Sequence, residues 1–535
     1  MSTNSTKKMS FFERFLNFVE VTGNKLPHPV AMFFGFFVIT IILSAILSQV
    51  GVSVTYKEIS RATGEVIEKT TFVQNLLTRS GIRGIFSTTV KNFTGHAALG
   101  SIVVAMLGVG LAEGTGLLNT IIKKIVLSTP KQLVSAIVVF AGVMSNIASD
   151  AGYVVLIPLG AVIFLSFGRH PLAGIAAAFA GVSGGFSANL LIGTTDPLLG
   201  GISTTAAQIV LPGYSVTPTA NFFFMFASTF LITFIGSWIT DKIVEPRLGD
   251  YKGPKIEIDL SSQMSEEEKK GLKAAGIATI GFIAIILLMV LPENAILRLT
   301  PDEIAAFTAK NNRVPGTMEV LKPFFGDSIV YILMLAFFIP GLAYGVVAKT
   351  VRTHKDVIKA MTKAMSSCGQ VLVIIFVSAQ FVYVFTKSNI GIVIAVKLAG
   401  VLKDLGISGI WAAVGLIFLT AFVNLFIGGA SSKWLMLSPV FIPMFVELGL
   451  TPEYTQLAYR IGDSTTNIIS PLMSYFPIIV GFASKYEEKE GSMGIGTIIA
   501  MMLPYSIAFL ISWTIMFVAW TYLGLPIGPG VKMFI

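Results

Sequence analysis

Charge is scarce in this chain. Of its 535 residues, 13% are Asp, Glu, Lys or Arg and 54% are apolar. A soluble protein carries about 25% charged residues, so the composition excludes a soluble globular fold and implies an integral membrane protein. Cysteine is scarcer still. Cys368 stands alone, which excludes an intrachain disulfide and any multi-cysteine metal site. The four histidines, His28, His96, His170 and His354, are scattered without ligand spacing, so they read as interfacial and no cofactor is expected. Residues 1–25 lack an apolar core, so no cleavable leader is expected there. The net charge of +9 suits anionic lipid, and no nucleic-acid motif accompanies it.

What is present is a series of apolar runs of about 20 residues, which marks helical spans rather than a β-barrel. An amphipathic segment at 10–22 (SFFERFLNFVEVT) reads as an interfacial helix. Spans are expected at 30–50, 99–118, 221–243, 274–291, 329–347, 370–385 and 494–524. Two runs, 131–167 and 406–449, are too long for one span. Polar residues break them at 145–152 and 428–433, so each reads as a re-entrant hairpin. Two more, 171–202 and 457–481, read as discontinuous spans interrupted at 187–197 and 463–471. Residues 51–92 are expected as an external loop.

The two halves match in kind. Tyr153–Pro158 runs parallel to Trp434–Pro439, and Ser187-Ala188-Asn189 to Thr465-Thr466-Asn467. One unpaired span, 274–291, separates the halves and so inverts the second. The expected fold is therefore all-α and membrane-integral, with nine transmembrane helices and two hairpins in two inverted repeats. The chain divides into an amphipathic start (1–29), a first repeat (30–243), linking segments (244–327), a second repeat (328–524) and an external tail (525–535). Inverted repeats with helices broken in corresponding places point to a secondary transporter with a midplane site. Basic residues number about 22 on one side and about 14 on the other, which favours a cytoplasmic N-terminus and an external C-terminus.

Four polar clusters fall at corresponding places: 145–150, 189–196, 428–434 and 460–470. Ionisable residues at membrane depth are functional-site candidates. Arg460 and Asp463 lie one helical turn apart, hence on one face. Arg460 stays charged and presents a planar fork suited to a carboxylate; alternatively, an Arg–Asp pair only locks two helices. Trp434 offers a ring platform or a core aromatic, and Tyr153 its mirror. Asp150 is an N-cap candidate, and Asp196 precedes Pro197 where a turn often starts. Lys433 either pairs with an acid or reaches water. Ser431, Asn146, Asn189 and Asn467 supply polar contacts. Gly428 and Gly429 break the second hairpin, and Pro452 and Pro471 are read as helix-break or gating positions. Pro439 and Pro443 are read as helix terminators. Freed carbonyls with Ser, Thr and Asn oxygens suit Na⁺, placed near Asn189, Asp196 and Asp463, although H⁺ is equally open as the coupling ion.

The motifs SNIASDAGYVVLIPLGA, SANLLIGTTDPLL, GGASSKWLMLSPVFIPM and YRIGDSTTNIISPLMSYFP resemble those of the p-aminobenzoyl-glutamate transporter (AbgT) family, in order and across nearly the whole chain. The resemblance implies a homodimer in the bacterial inner membrane, with nine spans, two hairpins and a water-filled basin open to the cytoplasm. The implied fold is similar to that of the divalent anion/sodium symporters. It implies transport of p-aminobenzoyl-glutamate, or export of p-aminobenzoate and sulfonamide drugs. The family's functional positions match here as Asp196, Ser431, Trp434, Pro452, Arg460, Asp463 and Pro471.

An intramembrane aspartyl protease would also need two membrane aspartates. Arg460 stands where a GxGD motif requires its first glycine, and a fixed cation holds a carboxylate ionised when a dyad must share a proton. An enzyme is therefore not expected. A channel would not need repeated hairpins.

Overall fold

The computed structural model describes residues 29–59, 66–127, 130, 133–148, 152–253, 264–311, 314–324, 328–367, 369–407, 409–427, 429–470, 473, 475–487 and 493–535. The segment expected to be amphipathic, 10–22, lies outside them, as do Asp150, Gly428 and Pro471.

Helix α1 (Pro29–Gln49) has 21 residues and no charge. At 1.5 Å per residue it spans about 30 Å, the thickness of a bilayer core. Phe34, Ile39, Ile42 and Ile46 are exposed along it while Phe33 and Ser44 are buried, the division expected of one lipid face and one protein face. The loop expected at 51–92 is instead structured. Strands β1 (Ser53–Ile59) and β2 (Val66–Phe72) pair antiparallel with Ser53 opposite Phe72. Their β-branched residues suit a pleated ribbon. Helix α2 (Arg79–Thr94) follows, capped by Thr78.

Helices α3 (Ala97–Gly114) and α4 (Leu117–Leu127) lead to the first hairpin. Its arms are α5 (Val134–Ser145) and α6 (Ile157–Ser166), joined through a 3₁₀ turn at Asn146–Ala148 and a π turn at Gly152–Leu156. The first broken helix comprises α7 (Pro171–Phe179), extended by a π turn through Gly184, and α8 (Thr195–Ala207). Next come α9 (Phe222–Ile239), continuous to Leu248, and α10 (Glu266–Val290), started by a Ser265/Glu268 capping box. Short helices α11 (Pro301–Asn311) and α12 (Thr317–Val320) fill the connection.

The order then recurs. After α13 (Ile329–Val347) and the amphipathic α14 (His354–Ser367) come α15 (Gly369–Lys387) and α16 (Ile390–Asp404), bent by 72°. Only α15 was anticipated. The bend sits at Asn389, whose φ of 62° is left-handed and stops a helix. The second hairpin has arms α17 (Gly409–Val423) and α18 (Ala430–Glu447). The second broken helix is α19 (Pro452–Thr466), a 3₁₀ turn at Asn467–Ile469, and α20 (Phe476–Ser484). Helix α21 (Ile495–Tyr522) closes the series. Among the described residues, five helices are long and apolar enough to cross a membrane alone, and the bent α15–α16 pair makes a sixth.

Three expected breaks move. The second hairpin's tip is 424–429 rather than 428–433, because Gly429 takes φ +83° and α18 begins at Ala430. The first helix break is 185–194 rather than 187–197. Asp196 and Pro197 sit in the first turn of α8, where a proline's missing N–H is not needed. The second break begins at Asn467 rather than 463, so Asp463 stays helical. Pro439 and Pro443 lie inside α18 rather than terminating it. Residues 525–535 are no loose tail either: Thr451 N donates to Met533 O at 3.1 Å and Phe223 N to Ile527 O at 3.0 Å.

Lipid removes the hydrophobic drive between helices, so close approach by small residues matters more. The hairpins use it in the same way. A Cβ at Gly181 would lie 2.2 Å from Val139 O on α5, and one at Gly462 2.2 Å from Ile417 O on α17. In each half, the first hairpin arm meets the broken helix backbone to backbone.

Candidate functional site

All 15 residues of α19 are buried. Arg460 and Asp463 share a face of it, yet they pair with different partners. Arg460 Nη1 lies 2.7 Å from Asp196 Oδ1, and Nη2 donates to the Ser187 carbonyl at 3.2 Å. Asp463 Oδ1 lies 2.6 Å from Lys433 Nζ and accepts from the Tyr459 hydroxyl at 3.2 Å. Each carboxylate thus faces its own cation, which an ion buried at this depth requires. The Na⁺ position expected near Asn189, Asp196 and Asp463 is therefore divided between two ion pairs. Among the described residues no three His, Cys, Asp or Glu side chains gather as metal ligands.

Asp196 has a second task. Its Oδ2 accepts from Gly193 N at 2.8 Å and so closes the turn that starts α8. Asp463 keeps its helical place for a related reason. Asn424, at the second hairpin tip, donates to the Asp463 carbonyl at 2.7 Å, to Thr466 Oγ1 at 3.0 Å and to Asn467 Oδ1 at 2.8 Å. Lys433 donates to Asn424 Oδ1. With its charge paired and its carbonyl held, this turn need not unwind.

Trp434 is fully buried. Its ring lies 4.4 Å from Tyr459 with planes 25° apart, and Nε1 donates to Ser203 Oγ at 2.8 Å. Ser203 in turn donates to Gln456 Oε1 at 2.6 Å. Tyr153 stacks on Tyr475 at 4.4 Å and 6°, and its hydroxyl donates to Ser183 Oγ at 3.1 Å. The two hairpin aromatics are thus placed alike. Each touches the pre-break segment of its own half's broken helix and the post-break segment of the other's. Stacking and hydrogen bonding exchange roles between them, and in this conformation Tyr459 covers one face of the expected Trp434 platform.

The remaining expected positions are distributed around these pairs. Asn189 is buried in the first break, where its Oδ1 accepts from Leu191 N at 3.2 Å. Asn467 Nδ2 donates to Ser183 O at 3.4 Å and Asn146 Nδ2 to Gly185 O at 3.4 Å. Ser431 is half-buried in the first turn of α18. Pro452 opens α19 at its first position, behind the Thr451 cap, so it starts a helix rather than breaking one. Of the buried side-chain polar atoms that make no hydrogen bond among the described residues, three lie together here: Arg460 Nε, Ser187 Oγ and Asn146 Oδ1. Arg460 and Asn146 both reach the 185–187 backbone, so these atoms surround the first break.

The model of the AbgT putative transporter family matches residues 14–535. The chain belongs to the AbgT transporter family. It is 40% identical, over 531 residues covering 99% of each chain, to the p-aminobenzoyl-glutamate transport protein of Escherichia coli. Its fold is similar to two solved structures. For the Neisseria gonorrhoeae MtrF structure, described as illuminating a class of antimetabolite efflux pumps, the TM-score is 0.88 at 46% identity, covering 97% of this chain and all of that one. For the Alcanivorax borkumensis YdaH transporter it is 0.83 at 41% identity, covering 94% of this chain and all of that one.

This AbgT-family site contains residues that sequence reasoning passed over. Asn424 was not singled out, although it is the polar residue that opens the second tip as Asn146 opens the first. Ser203 and Gln456 carry no signal, because each sits in an apolar or mixed helix where only a partner reveals a role; Tyr459 opens the YRIGD motif, but its ring contact with Trp434 is visible only in the structure. Of the two readings open for Lys433, the structure gives the acid partner, Asp463.

Proposed function

We propose that this membrane transporter of the AbgT family is secondary active and ion-coupled. It carries p-aminobenzoyl-glutamate and related aromatic carboxylates across the bacterial inner membrane by alternating access. The observation that carries this reading is the gathering of three of the unpaired buried atoms, Arg460 Nε, Ser187 Oγ and Asn146 Oδ1, around one helix break. Buried polar groups are satisfied as a rule, so a donor and acceptor set left open at a helix break suits a small polar ligand. Arg460 would hold the substrate carboxylate by its fork. Trp434 would offer its ring edge or, after Tyr459 moves, its face.

Nine spans are reached when α3, the two broken helices and the α15–α16 pair each count as one crossing. The two halves then read as inverted repeats, with the N-terminus cytoplasmic and the 208–221, 291–327 and 525–535 segments external. The description of MtrF as an antimetabolite efflux pump favours export as a second reading, and the family resemblance suggests p-aminobenzoate and sulfonamides as the cargo and the proton gradient as the drive. A homodimer is proposed from the family resemblance, and mass measurement in detergent tests it.

The decisive experiment is flux of radiolabelled p-aminobenzoyl-glutamate and p-aminobenzoate in proteoliposomes, with Na⁺ and pH gradients imposed separately. Arg460→Lys keeps the charge and loses the fork, so it should weaken carboxylate substrates by about tenfold. A neutral analogue should be spared. Equal losses for both ligands would remove Arg460 from the substrate site.

A further inference from the structure

A cavity of about 890 Å³ opens at the end of the molecule that carries the 208–221 and 525–535 segments. Its wall descends along α8 through Thr204 and Gly201 to Pro197, the neighbour of Asp196. The buried carboxylate of Glu453, at the start of α19, faces it. The Tyr214 hydroxyl donates to both oxygens of that carboxylate, at 2.9 and 3.1 Å. Asn221 Nδ2 donates to the Glu453 carbonyl at 2.9 Å. These contacts tie the 208–221 connection to α19 across the mouth of the cavity.

Asp196 and Asp463 each have a cation. Glu453 has none: among the described residues no Lys or Arg forms an ion pair with it. The other charged groups on the cavity wall are Glu319 in α12, Lys322 just after it and Lys532 of the 525–535 segment. Lys322 and Lys532 are exposed at the rim. A buried carboxylate without a cation resists ionisation, while a helix N-terminus and a donated hydroxyl favour it. Glu453 stands where these influences oppose each other and where water reaches it through the cavity.

We propose that Glu453 is a proton-binding group that gates this cavity. Ionised, it holds Tyr214 by a charge-assisted hydrogen bond, roughly twice as strong as a neutral one, and keeps the passage toward Asp196 shut. Protonated, it keeps only the weaker bond, and the 208–221 connection is released. The proton comes from water in the cavity and returns to it. The assignment of this end to the outside rests on the orientation proposed above; the gate itself does not require the substrate proposed there.

The test uses the full-length chain carrying Ser187→Cys, beside Asp196 and behind Pro218, at a side chain whose Oγ makes no hydrogen bond; in proteoliposomes it is labelled from outside by an impermeant maleimide without substrate. The chain lacking Ser187→Cys supplies the Cys368 background. All variants are compared at one neutral pH, so thiol reactivity cancels. Glu453→Gln, which mimics the protonated form, and Tyr214→Phe should each raise the labelling rate by about tenfold, the ratio that loss of a charge-assisted bond allows. Unchanged rates in both would overturn the gate. Should Glu453→Gln fail to fold, Tyr214→Phe decides alone. Where the unmodified chain carries p-aminobenzoyl-glutamate, Glu453→Gln should also flatten the dependence of flux on external pH, and an unaltered profile would overturn the proposal. A chain that moves no substrate but shows the labelling change refutes the proposed function and leaves the gate standing.

Discussion

At the first hairpin tip, Asn146 donates one long hydrogen bond to Gly185 O and leaves its own Oδ1 unpaired. At the second, Asn424 donates to three acceptors in the 463–467 turn and accepts from Lys433. The same residue type opens both tips, although a 3₁₀ turn starts at Asn146 while turns and a left-handed Gly429 follow Asn424. One tip is saturated and the other is not. The ion pairs differ in the same sense. Lys433 and Asp463 are 0% and 1% exposed, whereas Arg460 and Asp196 are 4% and 13% exposed. The second tip is therefore locked inside its own half. The first tip and the Arg460–Asp196 contact between halves keep open valences, which is where a ligand can act.

The largest effect should come from breaking the lock. Lys433→Ala leaves Asp463 buried without a cation and should cost about 3–5 kcal/mol. Joint replacement with Asp463→Leu should restore much of that, because no isolated charge remains. Thermal unfolding in detergent measures both. A single variant as stable as the parent would mean that the pair contributes nothing.

A direct contrast of the tips comes next. Asn424→Ala strands several buried groups and should cost about 1–3 kcal/mol. Asn146→Ala removes one long bond and one unsatisfied atom, so its cost should stay below about 1 kcal/mol. Its effect should appear instead in substrate affinity. Equal stability losses at the two positions would erase the distinction.

The smallest effect concerns the aromatics. Ser203→Ala deprives the Trp434 indole N–H of its acceptor, and Tyr153→Phe deprives Ser183 of its donor. Each should cost about 0.5–1.5 kcal/mol. If Trp434 must leave Tyr459 during transport, Ser203→Ala should also speed flux while Tyr153→Phe should not. Parallel changes in initial flux rate would show that the two platforms move together.

Sequence reasoning reached the elements of this site more readily than their pairing. Polar residues inside apolar runs announced both hairpins and both broken helices to within a few residues. The ends were displaced where caps decided them: Gly429 at the second tip, Asp196 closing its own turn, and Asn424 holding the turn at Asp463. Helix α16 was missed because the polar stop Thr386–Asn389 ends the expected span and Lys397, Lys403 and Asp404 interrupt the run that follows.

The sequence by itself determined that the chain lives in a membrane, because 13% charge cannot cover a soluble surface. It also determined the family, because four long motifs recur in order. Helical period placed Arg460 and Asp463 on one face of α19. What that face meets was decided only by the tertiary structure. Arg460 takes Asp196 from the other half, Asp463 takes Lys433 from its own, and Trp434 closes against Tyr459. The physical reason is that helical period orders residues along one surface, whereas partnership depends on which second surface is brought against it. Desolvation at that contact then requires each buried charge to find its opposite.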